Sequence, residues 1–209
     1  MKRKKSKHNR RVDHYALKAK KEHFPARSVY KLKEIQQKYK IIKKGDRVLD
    51  LGCSPGSWLL YAADLAGKGG EVAGVDLKPL SNEISMKLPS NARMYVGDVL
   101  SVGDELSKLI GKNYNVVISD MAPATTGSKS VDAARSFELC RAALATAQDV
   151  LTPGGAFICK IFQGEDFKIF LDLVKTGFNK QKIFKPESSR KASKEIYIIG
   201  FGKRCEPFI

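Results

Sequence analysis

Apolar positions along this chain alternate between two periods. Arg47–Leu51, Glu71–Leu77, Ala92–Val96, Asn115–Ser119 and Ala156–Phe162 are short apolar runs, the mark of strands. Gly56–Ala66, a stretch near Glu105–Ile110, Val131–Leu151 and Phe167–Lys175 carry helical spacing instead. A Gly-rich turn at 67–70 ends the first of these helices, and Pro153-Gly154-Gly155 stops the long third one. Ile183–Lys185 and Ile196–Phe201 read as closing strands. Ahead of the first strand, Pro25 breaks the chain and a helix is expected from Ser28 to Tyr39, with Val29, Leu32 and Ile35 on one face and Lys31 at its border. Lys43-Lys44-Gly45-Asp46 is a turn. Strands alternating with helices imply a mostly parallel sheet covered on both faces. The last two strands have no long helix between them, so they are expected to pair antiparallel at one edge. The expected fold is α/β and Rossmann-like, a mostly parallel seven-stranded sheet with an antiparallel edge strand and helices on both faces. Residues 27–209 form one domain, and residues 1–26 are read as a mobile basic arm.

Composition narrows this further. The chain has 209 residues, 43% of them hydrophobic, which suits one packed core. No apolar run is long enough to span a bilayer, and the basic N-terminus lacks the apolar stretch of a secretory signal. A cytoplasmic location is expected. Cys53, Cys140, Cys159 and Cys205 are far apart and show no Cys-x-x-Cys spacing, and His8, His14 and His23 cluster with no second ligand type. Neither disulfides nor a metal site is expected. The net charge is +16, and residues 1–44 supply 17 Lys/Arg against 3 Asp/Glu, or +14 of it. A basic segment so localised fits a polyanion better than a solubilising tail. Residues 1–23 show no clear apolar helical face, which argues against a membrane surface.

In open α/β sheets, ligands bind beyond the carboxyl ends of the strands. The first strand leads into Asp50-Leu51-Gly52-Cys53-Ser54-Pro55-Gly56-Ser57-Trp58, the second ends in Asp76, the third in Gly97-Asp98 and the fourth in Asp120, and the fifth carries Lys160 near its end. Every strand thus brings a charged residue or a Gly-rich turn to one rim. The loop from Gly52 has Gly-x-x-x-Gly spacing, which is neither the dinucleotide fingerprint nor a P-loop. Asp76 lies at the distance expected of an acid that holds a ribose diol, so a nucleoside-containing cofactor is implied. Trp58 is read from its type alone as readily as core. Lys160 stands in the apolar run Phe157–Phe162, where an unpaired lysine is costly, and Asp120 on the neighbouring strand is the candidate partner.

Asp50–Trp58, Ser119-Asp120-Met121-Ala122-Pro123 and Lys160-Ile161-Phe162-Gln163-Gly164 resemble the FtsJ family of RNA ribose 2′-O-methyltransferases. The tail Lys185-Pro186-Glu187-Ser188-Ser189-Arg190 with Ser193-Lys194-Glu195-Ile196-Tyr197 does so too, and the likeness runs from about Arg27 to Gly202. The nearest branch methylates a uridine in large-subunit ribosomal RNA. The resemblance implies a class I methyltransferase using S-adenosylmethionine and releasing S-adenosylhomocysteine, without a metal. It implies a catalytic tetrad of Lys31, Asp120, Lys160 and Glu195. It implies cofactor contacts at Gly52, Gly56, Trp58, Asp76, Asp98 and Asp120. Two departures are visible: Ser57 replaces a second glycine, and Leu80–Asn91 is longer than in the bacterial ribosomal enzyme of the family.

The expected reaction is in-line methyl transfer to a ribose hydroxyl, with Lys160 either as a neutral base or as a cation beside the developing alkoxide. The expected partner is RNA, ribosomal RNA in a ribosomal particle first and transfer RNA as the alternative, with no membrane, for a monomeric protein. The basic arm, with Lys33, Lys38, Lys40, Lys43 and Lys44, is expected to grip phosphates. A base N-methyltransferase is disfavoured because Asp120-Met121-Ala122-Pro123 and the residues after it offer no aromatic ring to stack on a base. A nicotinamide oxidoreductase is disfavoured by the glycine spacing, and an inactive RNA-binding relative by the intact tetrad.

Overall fold

The computed structural model describes residues 13–100, 108–190 and 192–205. Two helices, α1 (His14–Lys21) and α2 (Val29–Tyr39), precede the sheet. Then follow β1 (Arg47–Leu51), α3 (Ser57–Ala66), β2 (Glu71–Asp76), α4 (Asn82–Ser85), β3 (Ala92–Val96) and β4 (Tyr114–Ser119). The chain closes with α5 (Lys129–Val150), β5 (Leu151–Phe162), α6 (Phe167–Gly177), β6 (Phe178–Phe184) and β7 (Glu195–Lys203).

The seven strands form one sheet in the order β3-β2-β1-β4-β5-β7-β6. β1 to β5 pair in parallel, and β7 pairs antiparallel with both β5 and β6. The antiparallel pairing is therefore at one edge, with β7 second from that edge and β6 outermost. The order reverses between β1 and β4, and at such a switch point the two loops diverge and leave a crevice.

Side chains of successive strand residues point to opposite faces, so each strand serves two cores. Leu49, Leu51, Val117, Phe157, Cys159 and Ile198 pack with α5 and α6 on one face. Val48, Val116, Ile118, Ile158, Tyr197 and Ile199 pack with α2, α3 and α4 on the other. The next positions of that second parity along β1, β4, β5 and β7 are Asp50, Asp120, Lys160 and Glu195. Polar residues thus continue the apolar rows of the α2 face as the strands reach the rim.

Most elements lie where the pattern places them, and three differ. β5 starts at Leu151 rather than Ala156, because Leu151 pairs with Tyr114 and the register then jumps to Val116↔Ala156. Pro153-Gly154-Gly155 forms that irregularity, with the Thr152 hydroxyl donating to the Tyr114 carbonyl at 3.1 Å. β6 begins at Phe178, five residues before Ile183, through the polar run Asn179–Lys182 on an outermost strand whose side chains are mostly solvated. α4 carries no apolar period of its own; Ser81 caps it and Ile84 buries it. Of the helix expected near Glu105–Ile110, residues 108–110 are helical and the remainder lies outside the described residues.

The expected arm also divides. Residues 1–12 lie outside the described residues. Within 13–26, Asp13 caps α1 and Ala19 is buried against Val29 and Tyr30. Arg27 donates both to the Asp13 carboxylate and to the Ser188 carbonyl, tying α1 to the segment after β6.

Packing at the β6–β7 edge leaves no spare volume. A Cβ on Gly200 would sit 2.6–2.9 Å from ring atoms of Phe178, which is itself fully buried and stacked on Phe157 with ring centroids 6.0 Å apart. Gly200→Ala is expected to cost about 1–3 kcal/mol by overpacking. A lower urea midpoint with an unchanged m-value would register it.

Candidate active site

Four side chains from distant parts of the chain meet at the rim. Lys31 comes from the first turn of α2, Asp120 from the end of β4, Lys160 from near the end of β5 and Glu195 from the start of β7. β7 runs against the other strands, which is why its first residue, not its last, reaches this rim. Lys160 Nζ lies 2.9 Å from Asp120 Oδ1 and donates to the Asp120 carbonyl at 2.5 Å. Lys31 Nζ lies 2.9 Å from Glu195 Oε1 and 3.8 Å from Asp120 Oδ1. Lys31, Lys160 and Glu195 are 9%, 5% and 9% exposed, and side chains of this kind are costly to bury without the pairing seen here.

Asp120 holds the group together. Burial pushes its carboxyl up, but the Lys160 and Lys31 ammoniums and the Tyr197 hydroxyl outweigh burial and hold it below the usual aspartate value. Tyr197 donates to Asp120 Oδ1 at 2.5 Å. Burial and the adjacent Asp120 charge raise the Tyr197 phenol well above its ordinary value, so it stays protonated and remains a donor. Sequence reasoning quoted Tyr197 in a motif but gave it no role. The available signal was its spacing: two residues from Glu195 on a strand puts both on one face.

Beside the tetrad lies a cleft of about 250 Å³, lined by residues from the ends of β1 to β4. Gly52, Asp76, Asp98 and Asp120 all border it. Asp76 accepts the Ser54 N–H at 3.0 Å and the Lys78 N–H at 2.9 Å, which fixes its carboxylate across the glycine loop. Asp98 accepts the Leu100 N–H at 2.8 Å. Gly52 has φ +78°, and a Cβ there would strike Met121 Cγ, so only glycine lets the loops after β1 and β4 approach this closely. Leu77 and Leu100 border the cleft while 65% and 52% exposed. Sequence reasoning missed both, since an apolar residue after a strand carries no chemical signal until it is seen uncovered.

Gly56 and Trp58 do not border this cleft. Gly56, at φ +107°, caps α3, and a Cβ on it would meet Ile84 Cγ2 at 2.9 Å. The Trp58 ring is in the core. It is 3% exposed, stacks on Tyr197 with centroids 5.8 Å apart and donates Nε1–H to the Ser28 carbonyl at 2.8 Å. A helix leaves the N–H groups of its first turn without intrahelical acceptors, so the backbone is the one route by which this turn could serve a ligand. The two departures noted above both have structural uses. The Ser57 hydroxyl accepts the Ala26 N–H at 2.7 Å and donates to the Ala26 carbonyl at 3.1 Å. The long segment supplies Leu80 and Ile84, which pack over Gly56.

Asp50 lies deeper. It is 1% exposed, and neither carboxyl oxygen has a hydrogen-bond partner among the described residues. Burial, and then the nearby Asp120 and Asp76 charges, raise it well above the usual carboxylate value. Among the described residues no group of His, Cys, Asp and Glu is arranged to hold a metal ion.

The Asp120 pairing has a pH signature. A carboxyl held low in the folded state stabilises it fully above the ordinary value near 3.8, and that stability is lost only as pH falls through the lower folded value. Asp120→Ala removes one partner of two buried lysines and is expected to cost about 3–5 kcal/mol at neutral pH. In denaturant titrations, the gap between wild type and variant should close below about pH 4. A gap that widened there would contradict the pairing.

Residues 24–203 match the profile of the FtsJ-like methyltransferase family. The ribosomal RNA large subunit methyltransferase E of Desulforapulum autotrophicum is 56% identical over 96% of this chain and 97% of its own. That of Bdellovibrio bacteriovorus is 47% identical over 92% of this chain and 97% of its own. Among solved structures, a Plasmodium falciparum protein described as a ribosomal RNA methyltransferase superposes with TM-score 0.73 at 26% identity, covering 86% of this chain and 98% of its own. Aeropyrum pernix fibrillarin, crystallised with S-adenosylmethionine, shares the fold at TM-score 0.61 and 17% identity, over 83% of this chain and 76% of its own. With nearly the whole of its folded part matched in sequence and in architecture, this chain belongs to the FtsJ-like methyltransferase family.

Proposed function

We propose that this protein transfers a methyl group from S-adenosylmethionine to a ribose 2′-hydroxyl of ribosomal RNA, at a uridine of the large subunit. One observation carries the reading: the Asp120 carboxylate borders the cleft and is at the same time ion-paired with Lys160, so a donor in the cleft and an amine beside it share one anchor.

The cleft suits a charged nucleoside. Asp76 offers carboxylate oxygens to a ribose diol, Leu77 and Leu100 offer apolar walls to a base, and Asp98 offers an acceptor to its amino group. Asp120, which borders the cleft, suits an ammonium. Bound there, S-adenosylmethionine supplies an electrophilic methyl group and leaves as S-adenosylhomocysteine. The ribose oxygen would form its bond to that carbon as the carbon–sulfur bond breaks, its proton passing to water at the open rim. Lys160, fixed by two contacts to Asp120, steadies the negative charge growing on the oxygen. Lys31, held by Glu195, adds a second cation at the same rim. Both amines are pre-paired and nearly dry, so little reorganisation is needed at the moment of transfer.

The loop Asp120–Pro123 carries no aromatic ring, which favours a sugar target over a base. The basic segment at 1–26 grips phosphates for the domain at 27–209, and the protein works as a cytoplasmic monomer on ribosomal RNA within a particle. No helix among the described residues is long and apolar enough to cross a membrane.

Lys160→Ala is expected to lower transfer by about 10²–10³-fold or more, the scale seen when one charge-stabilising group is removed. Donor binding, followed calorimetrically, should survive. A nucleoside digest of labelled RNA should place the methyl on ribose; label on a base, or near wild-type turnover in the variant, would overturn the reading.

A further inference from the structure

A second and larger cavity, about 860 Å³, opens between α1, one face of α2 and the end of β6. α2 lines it with Tyr30, Lys33, Glu34, Gln37 and Lys38, one helical face that begins next to Lys31 of the tetrad. Eight residues of helix carry it about 12 Å along α2. Lys18 and Lys185 line the facing walls.

The charges in this groove are unequally committed. Lys33 pairs with Glu22 at 2.6 Å, and Lys18 lies 3.8 Å from the same carboxylate. Both Glu34 oxygens accept backbone N–H groups, from Glu187 at 2.6 Å and Ser188 at 2.9 Å. Lys38 and Lys185 have no carboxylate partner among the described residues. Lys185 donates to the Ser193 carbonyl at 3.0 Å, and Lys38 lies 5.0 Å over the Phe184 ring. Phe184 is half-buried and lines the groove, so an ammonium and an aromatic face stand within one nucleotide's reach of each other. Tyr15 offers a second half-buried ring on the α1 side. By contrast, Lys40 and Lys43 border a separate cavity with Asn115, Thr152 and Gly154, at the amino ends of β4 and β5, far from the tetrad.

We propose that this groove holds the single-stranded RNA segment beside the target nucleotide, with phosphates at Lys38 and Lys185 and a base against Phe184. The inference rests on the RNA-methylating reading above and deepens it. Lysines alone would accept any polyanion. Rings beside them favour a strand whose bases are unstacked, because a duplex keeps its base faces covered.

The test uses the full chain and labelled RNA, a short single strand and the duplex of the same sequence. Lys38→Ala with Lys185→Ala is expected to raise the single-strand Kd about tenfold and to reduce the salt slope by about 1.4, the loss of two single-strand phosphate contacts. Binding of S-adenosylhomocysteine should be unchanged, and the effect on duplex binding smaller. Phe184→Leu, which keeps apolar packing, should weaken single-strand binding without changing the salt slope. Unchanged affinity and slope in the double variant, or a loss as large on duplex, would overturn the groove; unchanged single-strand binding in Phe184→Leu would overturn the assigned base contact. Methyl transfer separates the two levels. If wild type methylates neither these strands nor the RNA of an unmethylated large ribosomal subunit, the underlying reading fails. If it does and the double variant keeps its KM for RNA, the groove alone fails.

Discussion

The site depends on one largely enclosed carboxylate, its side chain 15% exposed. Asp120 neutralises Lys160 at 2.9 Å, attracts Lys31 at 3.8 Å, accepts the Tyr197 hydroxyl and still faces the donor cleft. A charge this enclosed is costly unless several partners share it. Here the partners arrive on three separate elements, α2, β5 and β7, so the carboxylate also fixes where those elements stand. The reacting groups are oriented before any substrate binds, which is the condition under which fixed charges act most strongly.

Strand parity explains how residues so far apart in the chain converge. Ile118, Ile158 and Tyr197 belong to the core beneath α2 and α3, and Asp120, Lys160 and Glu195 are the next residues of that parity toward the rim. The third of these arrives only because β7 runs the other way. A parallel strand would have delivered its final residue instead. The reversed edge of the sheet is therefore part of the chemistry.

Much of this was legible in the sequence, and the gaps have physical causes. The strand ends stood out because charged residues and glycines interrupt apolar runs, and Lys160 stood out because lysine is out of place in such a run. Lys31 and Glu195 have no such contrast with their surroundings, and only the family resemblance brought them in. Trp58 was ambiguous because a tryptophan motif looks the same whether ring or backbone is in use. β6 was read too short because an outermost strand needs few apolar residues. The docking of α1 is hidden by its charge, since its hold on the body is one alanine, an arginine shared between Asp13 and Ser188, the Glu22–Lys33 ion pair and ring contacts.

The clasp between the N-terminal segment and α3 has a thermodynamic side. Ala26 is bonded in both directions to Ser57, and Trp58 reaches back to the carbonyl of Ser28, at the root of the helix that carries Lys31. The turn that opens α3 and the helix that borders the long groove are thus one mechanical unit. Occupants of the two cavities cannot be energetically indifferent if either one shifts that unit. Linkage is reciprocal: whatever factor the first ligand imposes on the affinity of the second, the second returns to the first.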